Sequence, residues 1–162
     1  MYKYFDIIDK YFYEFGLKKK EKLSQLHDIY KYYNSKINLI SRKDFENFYL
    51  HHVIHSLTLC KYIENKKLNI LDLGTGGGFP GIPLSIFFEK NTFLLVDSIS
   101  KKIKVLNQII KKLNLNNVQT LNGRVEQVND KQDIIVCRAV TSISNIINSV
   151  SYTHLTLPTN QC

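Results

Sequence analysis

Asn69-Ile70-Leu71-Asp72-Leu73-Gly74-Thr75-Gly76-Gly77-Gly78-Phe79-Pro80-Gly81 is an apolar run with one acid inside it, ending in a cluster of glycines. The run reads as a short buried strand, and Pro83 to Phe88 beyond the glycines is compatible with a helix. Glycines at such a junction let the backbone turn sharply and let a ligand lie against main-chain N–H groups, with no Cβ in the way. The helix N-terminus that follows adds further donors and the positive end of a dipole. A glycine cluster this dense would be an entropically costly way to build a plain turn.

Two nucleoside cofactors fit such a loop. Gly76-x-Gly78-x-x-Gly81 matches the dinucleotide fingerprint, in which a pyrophosphate sits on the helix N-terminus. Asp72-x-Gly74-x-Gly76-x-Gly78 matches the pattern of S-adenosylmethionine-dependent methyltransferases, with an acid inside the first strand. Gly74 already ends the strand, so the methyltransferase register fits better. Asp97 closes a second apolar run, Thr92-Phe93-Leu94-Leu95-Val96, nineteen residues after Gly78. An acid there accepts hydrogen bonds from ribose hydroxyls in either class. It can equally cap the helix that begins near Ser100.

The alternation continues outward. Residues Ser100 to Leu113 carry Ile103, Leu106 and Ile110 at helical spacing. Val118 to Leu121 and Asp133 to Cys137 read as a third and a fourth strand. Strands alternating with helices predict a parallel α/β sheet of Rossmann type. The first 64 residues read as a helical region placed before the core at 65–150. Phe5, Ile8, Phe12 and Phe15 share one helix face, with Gly16 as a stop, and a second helix runs from Lys18 to Tyr33 with Leu23, Leu26, Ile29 or Tyr30, and Tyr33 inward. A third helix is expected from Asp44 to Glu64, with Asp44 as its N-cap. Residues 151–162, SYTHLTLPTNQC, carry no Lys, Arg, Asp or Glu and read as a non-native tail.

Composition narrows the class. Hydrophobic residues at 44% and charged residues at 22% exclude a disordered chain. No apolar run is long enough to span a membrane, and the N-terminus lacks a signal peptide's apolar core, so a cytoplasmic protein is expected. Cys60, Cys137 and Cys162 form neither a zinc pattern nor a disulfide framework. His51, His52 and His55 lack an acidic or cysteine partner at useful spacing, so packing or RNA-facing roles are expected and no metal. A net charge of +8 favours a polyanionic partner, although an AT-biased coding sequence would produce the same wealth of Lys, Asn and Ile.

With these residues in place, the chain resembles the bacterial ribosomal RNA small-subunit methyltransferase G family, also called glucose-inhibited division protein B. The resemblance runs nearly continuously from about Tyr33 to Val140. It rests on Tyr33-Asn34 followed by Asn38-Leu39, His52-Val53-Ile54-His55-Ser56, the loop from Gly74 through Gly81-Ile82-Pro83-Leu84, Asp97-Ser98, Gly123-Arg124-Val125-Glu126 and Arg138-Ala139. Tyr33 stands where Trp is usual and His55 where Asp is usual. Family members continue with a fifth strand, a Lys-Gly element and a closing hairpin, none of which follows Val150, so C-terminal strands are expected to be missing.

The resemblance implies a class I S-adenosylmethionine methyltransferase acting on nitrogen 7 of one guanine in 16S ribosomal RNA, on free RNA or the small subunit; the sequence leaves the oligomeric state open, with a monomer the expectation. Carried over residue by residue, Gly74, Thr75, Gly76 and Gly78 would cradle the methionine end of the cofactor, with Asp72 and Phe79 also in the cofactor site. Asp97 would hold the ribose, and Arg124, Val125 and Glu126 would lie near the adenine. Arg138, just past the fourth strand, would serve both cofactor and catalysis at the reaction site. The basic N-terminal helices, with Lys18, Lys19, Lys20, Lys31 and Lys36 among tyrosines, are the expected RNA surface. A dinucleotide-dependent oxidoreductase and a non-catalytic nucleotide-binding fragment remain as alternatives.

Overall fold

The structure, a computed structural model, describes residues 3–13 and 16–138. Strands β1 (Asn69–Leu73), β2 (Thr92–Asp97), β3 (Val118–Asn122) and β4 (Ile134–Cys137) form a parallel sheet in the order β3-β2-β1-β4. Their register sets Leu73 opposite both Val96 and Cys137, and Asp97 opposite Asn122. The chain adds β2 and β3 on one side of β1 and β4 on the other. That reversal opens a crevice at the carboxyl ends of β1 and its neighbours, where open α/β sheets bind ligands.

Alternation along the strands divides the side chains between two faces. Ile70, Phe93, Leu95, Val118 and Val136 join the main core under the helices. Leu71, Leu73 and Val96 form a smaller cluster on the other face with Val125 and Val128. Helix α4 (Gly81–Phe87) links β1 to β2, and helix α5 (Ser100–Lys112) links β2 to β3. On α5 the expected Ile103 and Leu106 are buried together with Val105 and Ile109, while Ile110 is half-buried.

The N-terminal region packs on the same face. Helix α1 (Phe5–Tyr11) buries Ile8, and helix α2 (Leu17–Asn34) buries Leu23, Leu26, Ile29 and Tyr30. These side chains share one apolar cluster with Ile70, Phe93 and Leu106 of the sheet region. Phe15, 139–150 and the expected tail at 151–162 lie outside the described residues.

The expected third α-helix is corrected. Arg42–Asn47 turns as a 3-10 helix, Phe48–Ile54 widens into a π-helix, and only His55–Leu57 (α3) is α-helical before Thr58–Lys61 tightens again. Ser41, not Asp44, is the N-cap, and it makes no side-chain cap bond. The Asp44 carboxylate is drawn away from the backbone because it accepts from His51 Nδ1 at 2.6 Å and His52 Nε2 at 2.8 Å. Among the described residues no helix is long and apolar enough to cross a membrane.

Candidate functional site

β1 ends on a loop held from both sides. Asp72 is wholly buried beneath it, and its Oδ2 accepts from the Thr75 hydroxyl at 2.6 Å and from the Gly81 N–H at 2.8 Å. The carboxylate therefore caps the first residue of α4 from within. Its Oδ1 has no hydrogen-bond partner among the described residues. From the next strand, Asp97 Oδ2 accepts from the Gly76 N–H and Oδ1 from the Ile99 N–H, both at 2.8 Å. From the helical layer, the buried Tyr30 hydroxyl donates to the Gly77 carbonyl at 2.6 Å. Asn34 Oδ1 receives the Leu39 and Ile40 N–H groups at 2.8 and 3.1 Å, setting Leu39 against the loop.

The glycines divide by task. A Cβ at Gly78 (φ +90°) would stand 2.7 Å from Ile82 Cγ1 and 2.9 Å from both Leu106 Cδ2 and Tyr30 Oη, so this glycine serves close packing beneath the loop. A Cβ at Gly76 (φ +58°) would meet nothing nearer than Gly74 O at 3.8 Å and Lys102 Nζ at 3.9 Å. Gly76 opens onto a cleft of about 380 Å³. That volume suits a small organic ligand.

Gly74, Thr75, Gly76, Phe79, Asp97 and Arg138, expected from the sequence, all line this cleft. Asp72 and Gly78 instead lie under the loop and shape it. Arg124, Val125 and Glu126 do not line it. They form a turn past β3, where Val125 packs into the smaller apolar cluster and the two charged side chains are exposed. That turn touches the site through its neighbours: the Gly123 N–H and Asn122 Nδ2 both donate to the Asp97 carbonyl at 3.1 Å. Leu39, Gly77, Ser98 and Lys102 complete the wall and were not expected. Lys102 had a signal in the sequence, since a cation in the first turn of a helix opposes the macrodipole.

Arg138 reaches back to the helical layer. Nη1 donates to the His51 carbonyl and Nη2 to His52 Nδ1, both at 2.9 Å, and the guanidinium lies 5.5 Å from the centre of the Phe79 ring. These bonds leave other guanidinium N–H donors for a ligand. Burial, and then the Arg138 charge, lower the pKa of His52 below its ordinary value. The expected RNA-facing lysines are reduced in number, because Lys19 donates to the Phe87 carbonyl and Lys20 pairs with Asp9. Among the described residues no group of three or more His, Cys, Asp or Glu is arranged to hold a metal ion.

Burial pushes the Asp72 carboxyl up from 3.8 to about 6, against the pull of Thr75, Gly81 and Arg138. Its folded pKa exceeds its unfolded one, so this stability contribution is complete below about 3.9 and is lost as pH rises through about 6. Asp72→Asn removes the titration. Between pH 4 and pH 7.5 the variant should gain roughly 1–3 kcal/mol relative to the parent in denaturant unfolding. A difference independent of pH would show that the buried carboxyl titrates normally.

A family model described as rRNA small subunit methyltransferase G matches residues 19–160. The chain belongs to that family. Ribosomal RNA small subunit methyltransferase G of Porphyromonas gingivalis is 48% identical over 142 residues, covering 87% of this chain and 64% of the relative. The protein of the same name from Cytophaga hutchinsonii is 46% identical over 136 residues, covering 83% and 66%. The chain thus spans just under two thirds of the length of these methyltransferase G relatives. Among solved structures, coclaurine N-methyltransferase superposes with a TM-score of 0.56 at 14% identity, over 64% of this chain and 33% of that one. Protein-L-isoaspartate O-methyltransferase gives 0.52 at 16% identity, over 62% of this chain. Both show the methyltransferase fold.

Proposed function

We propose that this chain binds S-adenosylmethionine and transfers its methyl group to nitrogen 7 of a guanine in 16S ribosomal RNA. Membership in the methyltransferase G family supports the reaction and the RNA. The observation that carries the cofactor is the Asp72 carboxylate on the Gly81 N–H. In a dinucleotide fold a pyrophosphate takes the helix N-terminus at this turn. Here a buried carboxylate already occupies it, which disfavours a second anion and the oxidoreductase alternative.

The remaining groups fit the methyl donor. Gly76 leaves room that a Cβ would fill. Each Asp97 oxygen accepts one backbone bond and keeps a lone pair for a ribose hydroxyl. Asp97 faces the cleft as a partner for hydroxyls or a cation, with the buried Asp72 charge beneath the loop, and Lys102 and Arg138 stand ready for a carboxylate or the RNA. S-adenosylmethionine supplies an electrophilic methyl group on a sulfonium.

Displacement at that carbon is chiefly a matter of alignment. Guanine nitrogen 7 carries a lone pair and no proton, so the protein need not supply a general base. Arg138, held against Phe79, would orient the base by donating to its oxygen 6 or to a phosphate. Lys31 and Arg42 flank a surface pocket beside Asn34, whose side chain also holds Leu39 of the cleft wall, and would meet the RNA backbone there. A ribosomal substrate implies a cytoplasmic protein.

Isothermal titration should detect S-adenosylhomocysteine and not NAD. Asp97→Ala should weaken that binding by roughly 1–3 kcal/mol, the cost of leaving polar partners unpaired. Tighter binding of NAD would overturn the cofactor assignment. Mass spectrometry of digested RNA after incubation with small subunits tests the rest, because a methyl group on adenine or cytosine would exclude the substrate proposed.

A further inference from the structure

We infer that His52 is a positioning residue for Arg138: Asp44 orients the His52 ring so that its Nδ1 receives the guanidinium and holds it at the cleft. The inference rests on Arg138 being the group that meets the base. The arrangement is a string of side chains drawn from three parts of the chain. Asp44 Oδ2 contacts His52 Nε2 at 2.8 Å, and His52 Nδ1 contacts Arg138 Nη2 at 2.9 Å.

The protons on this string can be assigned by elimination. Arginine has N–H donors and no acceptor, so His52 Nδ1 must present a lone pair. A neutral imidazole then carries its hydrogen on Nε2, and Asp44 is the acceptor for it. Asp44 is itself steadied by His51 through its other oxygen at 2.6 Å. His52 is 8% exposed, and its ring lies 5.2 Å from Phe79 and 6.2 Å from Phe48, centre to centre. Packing alone could be met there by an apolar ring, and both ring nitrogens are committed in directions that only one tautomer satisfies. The π-helical winding of Phe48–Ile54 is where this occurs, and such departures from the α-helix recur at functional sites.

Protonation would break the arrangement. A second N–H on His52 would point at the guanidinium, removing the acceptor and setting two cations side by side. The other titratable groups facing the string are Asp44 and His51 in the helical layer, Tyr30 on α2 and Asp72 on β1. Lowering the pH is therefore expected to free Arg138 Nη2 and leave the guanidinium held to the helical layer by the His51 carbonyl alone.

The test has a spectroscopic arm and a kinetic arm. Long-range proton–nitrogen NMR of the labelled chain, with no cofactor added, should show His52 protonated at Nε2 and bare at Nδ1 at pH 7.5. In Arg138→Ala the His52 titration should move upward, because a neighbouring cation has gone. The reverse tautomer, or an unmoved titration, would overturn the inference.

The kinetic arm uses two amides that divide the ring's roles. His52→Asn places a carbonyl oxygen near the Nδ1 position, whereas His52→Gln places a donor near Nε2 and leaves Arg138 Nη2 without its acceptor, held only by the His51 carbonyl on Nη1. In methyl transfer to small-subunit RNA, His52→Gln should lose roughly ten- to a hundredfold in kcat, as for one charge-assisted hydrogen bond, and His52→Asn should stay within about threefold. Affinity for S-adenosylhomocysteine should stay within about threefold of the parent in both. Equal rates for the two amides would sink the inference. If the parent leaves the RNA unmodified, the proposed function fails, while the NMR result still decides whether His52 holds Arg138.

Discussion

Gly76→Val should leave the fold standing and remove cofactor binding. A Cβ at this position meets no protein atom closer than 3.8 Å, and the nearest side chain, that of Lys102, is long and flexible, so the loop is not forced apart. The residue does sit at φ +58°, where a side chain other than glycine costs about 1–2 kcal/mol. A domain holding roughly 5–15 kcal/mol can bear that loss. The two methyl groups would fill the space between the loop and Lys102 that the ligand needs. S-adenosylhomocysteine affinity should fall by about a hundredfold or more, as for a site filled by an inserted branched side chain. Calorimetric titration alongside a thermal melt separates the two effects. Parent-like affinity would remove the glycine loop from the binding site. Gly78→Ala makes the contrast, since its Cβ collides with Ile82, Leu106 and Tyr30 and should damage the fold itself.

Arg138→Ala should lower turnover on small-subunit RNA by roughly ten- to a thousandfold while cofactor affinity changes far less. The side chain crosses from the end of β4 to His51 and His52 and presents its remaining donors to the cleft. Arg138→Lys should be nearly as damaging, because a compact ammonium cannot reproduce the planar spread of donors that reaches the His51 carbonyl and His52 Nδ1 and still faces the cleft. Initial rates with saturating cofactor, set beside S-adenosylhomocysteine titrations, distinguish the outcomes. If both variants work like the parent, Arg138 is an anchor between layers and plays no part in methyl transfer.

The sheet was legible in the sequence because its strands are short apolar runs bounded by glycine, asparagine and acids. Asp72 to Gly81 and Asp97 were legible because the fold brings them together with local spacing that a motif can record. What could not be read depends on pairs far apart in the chain. Arg138 meets His52 across 86 residues, and Tyr30 meets Gly77 across 47. Leu39 reaches the cleft only because Asn34 ties down its backbone. The stretch from Arg42 to Lys61 has apolar spacing that suits an α-helix, yet it winds otherwise, with Asp44 bound to two histidines about two turns onward. Gly78 looked like a ligand contact because the motif shows where a glycine stands and not which way its missing side chain would point.

The hydroxyl of Tyr30 on the Gly77 carbonyl gives the N-terminal helices a stake in ligand retention. Fraying α2 would withdraw a support from the loop, and Leu39 would leave the wall with it. Occupancy of the cleft and the integrity of the helical layer are thereby one linked equilibrium. A bound cofactor should act as a clamp on residues it never touches, adding about 2.7 kcal/mol to their stability at a hundredfold excess over Kd. Loosening the helices would in turn shorten the time the cofactor stays.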